Sequence, residues 1–223
     1  MLRRLYHGSE NIVFHPVYGM GKAYNDYGRG FYCTESLDLA REWAVGENRD
    51  GFINGYELEC DGLDILNLNE DRYGTLHWLT ILLENRTFDL PSALAAEAKA
   101  YLLEHFTVDY KDRDAIIGYR ADDSYFSFAQ DFLNGTISCR QLSNALQFGE
   151  LGQQFVLKSE RTFERIRFCE AEGVSGRIWY PRRRLRDRSA RREYFDQEKN
   201  HRQKGDIYIM QIMDGEMPEL TDV

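Results

Sequence analysis

Leu5-Tyr6-His7-Gly8-Ser9 and, after an aperiodic stretch, Tyr27-Gly28-Arg29-Gly30-Phe31-Tyr32-Cys33 are the passages on which the fold turns. Leu2 to His7 reads as a short strand that ends in His7-Gly8-Ser9. Residues 10–27 contain Pro16, Gly19, Gly21 and Asn25 with little periodicity, which predicts a long surface loop. A structureless loop of that length in a compact domain is usually functional. Gly28 to Thr34 then reads as a glycine-loosened turn entering a brief strand. Thr34 is placed to cap a helix whose apolar residues Leu37, Ala40, Trp43 and Ala44 recur on one face.

Further strands are predicted at 52–60, 63–68, 115–118, 153–157 and 165–168. Helices are predicted near 72–85, 91–105, 124–133 and 138–147, with Pro91 in the first turn of its helix. Strands and helices are interspersed without a regular βαβ beat, which favours α+β over a doubly wound parallel sheet.

The 223 residues are 43% hydrophobic and 13% aromatic, enough for a packed core and too apolar for a disordered chain. A net charge of −9 argues against a uniformly basic nucleic-acid coat. No apolar run long enough to span a bilayer is present, and the polar start lacks the apolar core of a signal peptide. Cys33, Cys60, Cys139 and Cys169 lie far apart without a CxxC pair, so they read as reduced residues of a cytoplasmic protein. Charge is uneven: residues 177–204 carry 11 Lys/Arg against 4 Asp/Glu, whereas 205–223 carry 5 Asp/Glu and no Lys/Arg. This divides the chain into a main domain, 1–176, and a basic then acidic extension, 177–223, packed on it or tethered to it. The extension holds Arg182-Arg183-Arg184 and the apolar run Ile207-Tyr208-Ile209-Met210.

The chemistry gathers in the first 45 residues. His7 beside Gly8 sets a hydrogen-bonding ring next to a backbone that a flat ligand can approach closely. Gly28, Gly30 and Tyr32 repeat that logic, with Tyr24 and Tyr27 just before and Trp43 beyond. Such residues suit a site that sandwiches a planar ring and holds its amide by backbone hydrogen bonds. Taken singly, His7 reads more readily as a satisfied structural histidine than as a site residue, and Trp43 on an apolar helical face reads as core.

In order and spacing, Leu5–Ser9, Tyr27–Cys33 and Ala40-Arg41-Glu42-Trp43 resemble the catalytic half of the diphtheria-toxin and poly(ADP-ribose) polymerase group of ADP-ribosyltransferases. That group carries a His–Tyr–Glu triad on three strands. The stretch from Leu5 to about Phe168 is similar to a bacterial family of small toxin-like proteins with this pattern. The resemblance implies an ADP-ribosyltransferase-like split β-sheet core with flanking helices, NAD as co-substrate and no metal. It implies His7, Tyr32 and Gln154 as the catalytic set. His7 would hold the adenosine-side ribose hydroxyl, and Gly8 would grip the nicotinamide carboxamide through its backbone. Tyr32 would pack against the nicotinamide and Trp43 would be a second stacking aromatic, with Ser9, Tyr24, Tyr27 and Gly30 in the same cofactor-binding set. Ala40 stands where polymerases often carry a carboxamide-binding serine.

The third triad position departs from the pattern, because Gln154-Phe155-Val156-Leu157 puts glutamine where the acid is expected. A glutamine keeps the hydrogen bond to a ribose hydroxyl but loses the negative charge and any general-base role. Three outcomes follow: transfer to an already nucleophilic acceptor, a substitute carboxylate such as Asp26 or Glu150, or NAD binding without turnover. The leading expectation is a mono-ADP-ribosyltransferase, a toxin of a toxin–antitoxin or phage-defence system. The alternative is a catalytically inactive NAD-binding or partner-binding module. Arg182, Arg183 and Arg184, with Trp179 and Tyr180, suit an RNA or DNA acceptor. They equally suit an acidic antitoxin or a solvated helix around 186–203, and a protein acceptor stays open. No His/Cys cluster has metal-ligand spacing, and Gly28-x-Gly30 lacks the third glycine of a dinucleotide fingerprint.

Overall fold

In the computed structural model, which describes residues 1–121, 123–147 and 152–218, two small sheets meet beside the glycine-flanked segments. β1 (Leu2–Ser9) pairs antiparallel with β3 (Gly51–Glu59), and β3 with β7 (Ile166–Val174), in the order β1-β3-β7. β3 is buried over most of its length, as the central strand of a covered sheet must be. The second sheet runs β2-β6-β5-β4, from β2 (Phe31–Cys33), β4 (Ile65–Asn67), β5 (Ala115–Tyr119) and β6 (Gln153–Leu157). Its β4–β5 pair is parallel and the others are antiparallel. The two sheets are stitched at one point, where Tyr6 N–H donates to the Thr34 carbonyl at 2.8 Å and Thr34 N–H donates to the Tyr6 carbonyl at 2.9 Å.

The helices are α1 (Leu37–Ala44), α2 (Thr75–Asn85), α3 (Ala93–His105), α4 (Asp123–Leu133), α5 (Cys139–Gln147), α6 (Glu160–Arg165), α7 (Gly176–Glu193) and α8 (Ile209–Met213). A π-helical turn, Tyr194–Lys199, continues α7. The architecture is thus mixed α+β. The main core packs the apolar faces of α2 to α5 around Leu76, Leu79, Phe128, Phe132 and Leu142. A smaller core joins the sheets through Leu5, Cys33, Leu58, Phe155 and Leu157. A third cluster, with Ala40, Ala44, Ile53 and Val174, seats α1 on β1 and β3.

Local chemistry corrects several expected boundaries. Thr34 does not cap α1, because its backbone is still extended and bonded to Tyr6. Ser36 caps instead, its hydroxyl accepting from Leu39 N–H at 3.3 Å. Pro91 lies outside α3, which Ser92 caps by accepting from Ala95 N–H at 3.0 Å. The basic helix begins well before residue 186 and runs through Pro181. The segment from 177 onward packs on the rest of the chain: Tyr194 is buried against Phe128, ring centroids 4.0 Å apart, and Ile209 and Ile212 are fully buried in the main core. All four cysteines are free, three of them buried. Among the described residues no helix is long and apolar enough to cross a membrane, and no cluster of three potential metal ligands occurs.

Candidate functional site

A groove of two adjoining lobes opens where β1, β2, α1 and the long loop converge. The larger lobe, of about 700 Å³, is lined by His7, Gly8, Gly30, Phe31, Tyr32, Trp43, Arg120 and Arg183, and roofed by loop residues Val13 to Lys22. The smaller, of about 300 Å³, adds Asp26, Arg86, Ala121 and Gln154 and shares Asn25, Tyr32, Trp43, Arg120 and Arg183.

Each wall has a local cause. His7 Nδ1 lies 2.7 Å from the Tyr32 carbonyl. A carbonyl only accepts, so Nδ1 carries the proton and a neutral ring leaves Nε2 as an acceptor. Burial pushes the His7 pKa below its ordinary value, against the smaller opposing effect of that carbonyl bond, and so favours the neutral ring. The Phe31 ring packs on His7 at 4.4 Å. Tyr32 spends its hydroxyl within its own turn, donating to the Gly28 carbonyl at 2.6 Å and accepting from Tyr27 N–H at 3.0 Å. Its ring is left as wall. Gly28 adopts φ +73°, the left-handed conformation that turn requires.

Gly8 serves two purposes. A Cβ there would lie 2.1 Å from the Ala40 carbonyl oxygen, so its hydrogen is what lets α1 sit on β1. Tyr6 directs its N–H and C=O away from β3, to Thr34. By the two-residue alternation of a strand, those of Gly8 point to the same edge, beside the groove. On α1, Trp43 is half-buried; its Nε1 is buried without a hydrogen-bond partner among the described residues, and the Arg120 guanidinium stacks 5.0 Å from its ring centroid.

Gln154 and Asp26 form the floor of the smaller lobe. Gln154 Nε2 donates to Asp26 Oδ2 at 3.0 Å, and Ala121 N–H donates to the same oxygen at 3.0 Å. Arg86 Nη1 stands 3.8 Å from Asp26 Oδ1. Burial holds the Asp26 carboxyl above its ordinary value, and the Ala121 N–H, Arg86 and the Gln154 amide offset that only in part.

A family model described as "Protein of unknown function (DUF3990)" matches residues 3–168. The chain belongs to this family. No curated protein and no solved structure matches. The DUF3990 match contains every groove residue named above except Arg183, which α7 brings in from beyond it.

The DUF3990 region therefore brings together His7, Gly8, Gly30, Tyr32 and Trp43, with Gln154 in the adjoining lobe. Other expected residues lie elsewhere. Tyr27 is fully buried in the main core, its hydroxyl donating to the Tyr119 carbonyl at 2.7 Å. Tyr24 is 77% exposed and lines neither lobe. The Ser9 hydroxyl is taken by the Asn11 carbonyl and the Asn54 amide, outside the groove. Of the arginine triplet only Arg183 reaches the groove; Arg182 stacks on Trp179 at 4.5 Å and Arg184 is exposed. Of the two substitute carboxylates, Asp26 is in place and Glu150 lies outside the described residues. Sequence reading missed Arg86 and Arg120. The available signal was a cation directly after an apolar helix, Leu82-Leu83-Glu84-Asn85, and after a buried strand, Ala115-Ile116-Ile117-Gly118.

Proposed function

We propose that this chain is an NAD-dependent mono-ADP-ribosyltransferase of the diphtheria-toxin and poly(ADP-ribose) polymerase type. One observation carries the reading: His7, Gly8, Tyr32 and Trp43, distant in sequence, line a single groove. Its lobes are of a size that takes dinucleotide-sized ligands. The Gly8 backbone faces an open strand edge, as a grip on a carboxamide needs, and Arg120 and Arg183 complement a diphosphate. In this reading the two bridged sheets are the split core of that transferase type. His7 Nε2 accepts from a ribose hydroxyl, and Tyr32 and the free face of Trp43 confine the nicotinamide. The bond from ribose C1′ to nicotinamide breaks, and its electron pair leaves on the neutral nicotinamide. The acceptor's lone pair forms the new bond to C1′, and its proton passes to solvent. The protein contributes positioning and electrostatics.

Incubation with NAD, with and without cell lysate, tests this. Nicotinamide release accelerated by lysate is expected, falling by about 100-fold in His7→Ala, the scale for loss of one site hydrogen bond. Failure to bind NAD overturns the reading. Gln154 favours one alternative, a module that binds NAD without turnover, recognised by a stable complex and no nicotinamide under any condition. A toxin role within a toxin–antitoxin or phage-defence system, in the cytoplasm and under a cognate antitoxin, belongs to the same proposal. Growth arrest on expression, relieved by His7→Ala, is its expected sign.

For the acceptor, Arg183 in the groove and the exposed Arg177, Arg182, Arg184 and Arg188 along α7 favour a nucleic acid over a protein. Binding of single-stranded RNA should weaken with salt. Replacing Arg182, Arg183 and Arg184 together should flatten the log–log slope by about 2, at ~0.7 per lost phosphate contact. Salt-independent binding removes the nucleic-acid acceptor and leaves the protein one.

A further inference from the structure

Asp26 leaves the long loop and Gln154 lies in the four-stranded sheet between β2 and β5, yet their side chains meet at 3.0 Å in the smaller lobe. Each is only 5% exposed, so this is no surface pair screened by water. The partners of Asp26 are all donors or cations: Ala121 N–H and the Gln154 amide on Oδ2, Arg86 beside Oδ1. Such partners suit the ionised carboxylate, which can only accept. They also decide which way the Gln154 amide lies. Its NH₂ must face Asp26, and its carbonyl oxygen is then left buried with no hydrogen-bond partner among the described residues. Buried acceptors are rarely left so, and those that are call for an explanation such as a ligand or a catalytic role.

We propose that Asp26 is the acid of this site, supplying through the Gln154 amide the negative charge that a glutamine alone lacks. The inference rests on the ADP-ribosyl-transfer reading above. Asp26 is a positioning residue in this scheme. It fixes Gln154 with the carbonyl oxygen committed to a ribose hydroxyl, and it polarises the amide as positive charge develops at C1′. In a buried site that charge acts with little screening. The division of one glutamate's work between two residues explains how the pattern keeps its chemistry with glutamine at the third position.

Asp26→Asn keeps the shape and an acceptor for Ala121 N–H while removing the charge. Its kcat for nicotinamide release is expected to fall by about 100-fold, with NAD affinity within about threefold of wild type and the fold intact. The exchange Asp26→Asn with Gln154→Glu returns one carboxylate and one amide to the pair, and should recover kcat to within about tenfold of wild type. Wild-type protein that neither binds NAD nor releases nicotinamide overturns the transferase reading and this inference with it. Wild-type turnover with Asp26→Asn within about threefold of it overturns the inference alone. So does an Asp26→Asn defect that appears as lost NAD binding, or one that the exchange leaves unrelieved.

Discussion

Gly8→Ala is expected to destabilise the protein by ~3 kcal/mol, the upper end for forcing a methyl group into a filled space, and to abolish NAD binding. The added Cβ would lie 2.1 Å from the Ala40 carbonyl oxygen and 2.6 Å from Ala44 N, both backbone atoms of α1 that no side-chain rotation can clear. Strand and helix must part. Gly51 marks the same seam from β3, since a Cβ there would stand 1.9 Å from the Ala44 carbonyl oxygen. Because α1 carries Trp43, the displacement also opens the groove. Gly19→Ala is the control: nothing lies within 4 Å, so only its φ of +82° opposes the change, at ~1 kcal/mol. Urea unfolding compares the two; equal midpoints at unchanged slope would mean that β1 and α1 are not in contact at Gly8.

Glu42→Ala should lower stability by a similar ~3 kcal/mol, and the melting temperature by roughly 6–12 °C for a chain of this size. Glu42 of α1 pairs with Arg186 of α7 at 2.6 Å, with side chains only 10% and 14% exposed. Glu42 Oε2 accepts from Arg186 Nε at 2.9 Å and from Nη2 at 2.6 Å, and the change removes both charge-assisted bonds from a site shielded from water. The pair also clamps together two groove walls, Trp43 on α1 and Arg183 on α7, so on the function proposed above NAD affinity should drop with stability. Replacing Arg186 as well should cost less than the two single changes added together, because both remove the same pair. A melting temperature unchanged in Glu42→Ala would show that α7 is held by other contacts.

Most of the architecture could be read from the chain because its signals are local. The end of β1 at Ser9, the turn at Gly28 and the face of Leu37, Ala40, Trp43 and Ala44 each follow from neighbouring residues. The failures have non-local causes. Thr34 has the chemistry of a cap, but a bridge to Tyr6, far back in sequence, claims its backbone first. Tyr27 sits between site residues in sequence yet is buried because its hydroxyl finds the Tyr119 carbonyl. Nothing near Arg120 or Arg86 announces that they share a groove, since only the packing of β5 and α2 beside the loop makes them neighbours. Asp26 was legible as a candidate carboxylate, whereas its hydrogen bond from the Gln154 amide was not. The helix expected around 186–203 starts earlier, because α7 runs through Pro181 from Gly176, and so reaches the groove.

The groove takes one wall from residue 7 and another from residue 183. During synthesis, therefore, the ribosome must have released most of the polypeptide before this groove is complete. A chain stopped short of Arg183 lacks that wall, so whatever the groove does is done only by molecules nearly finished.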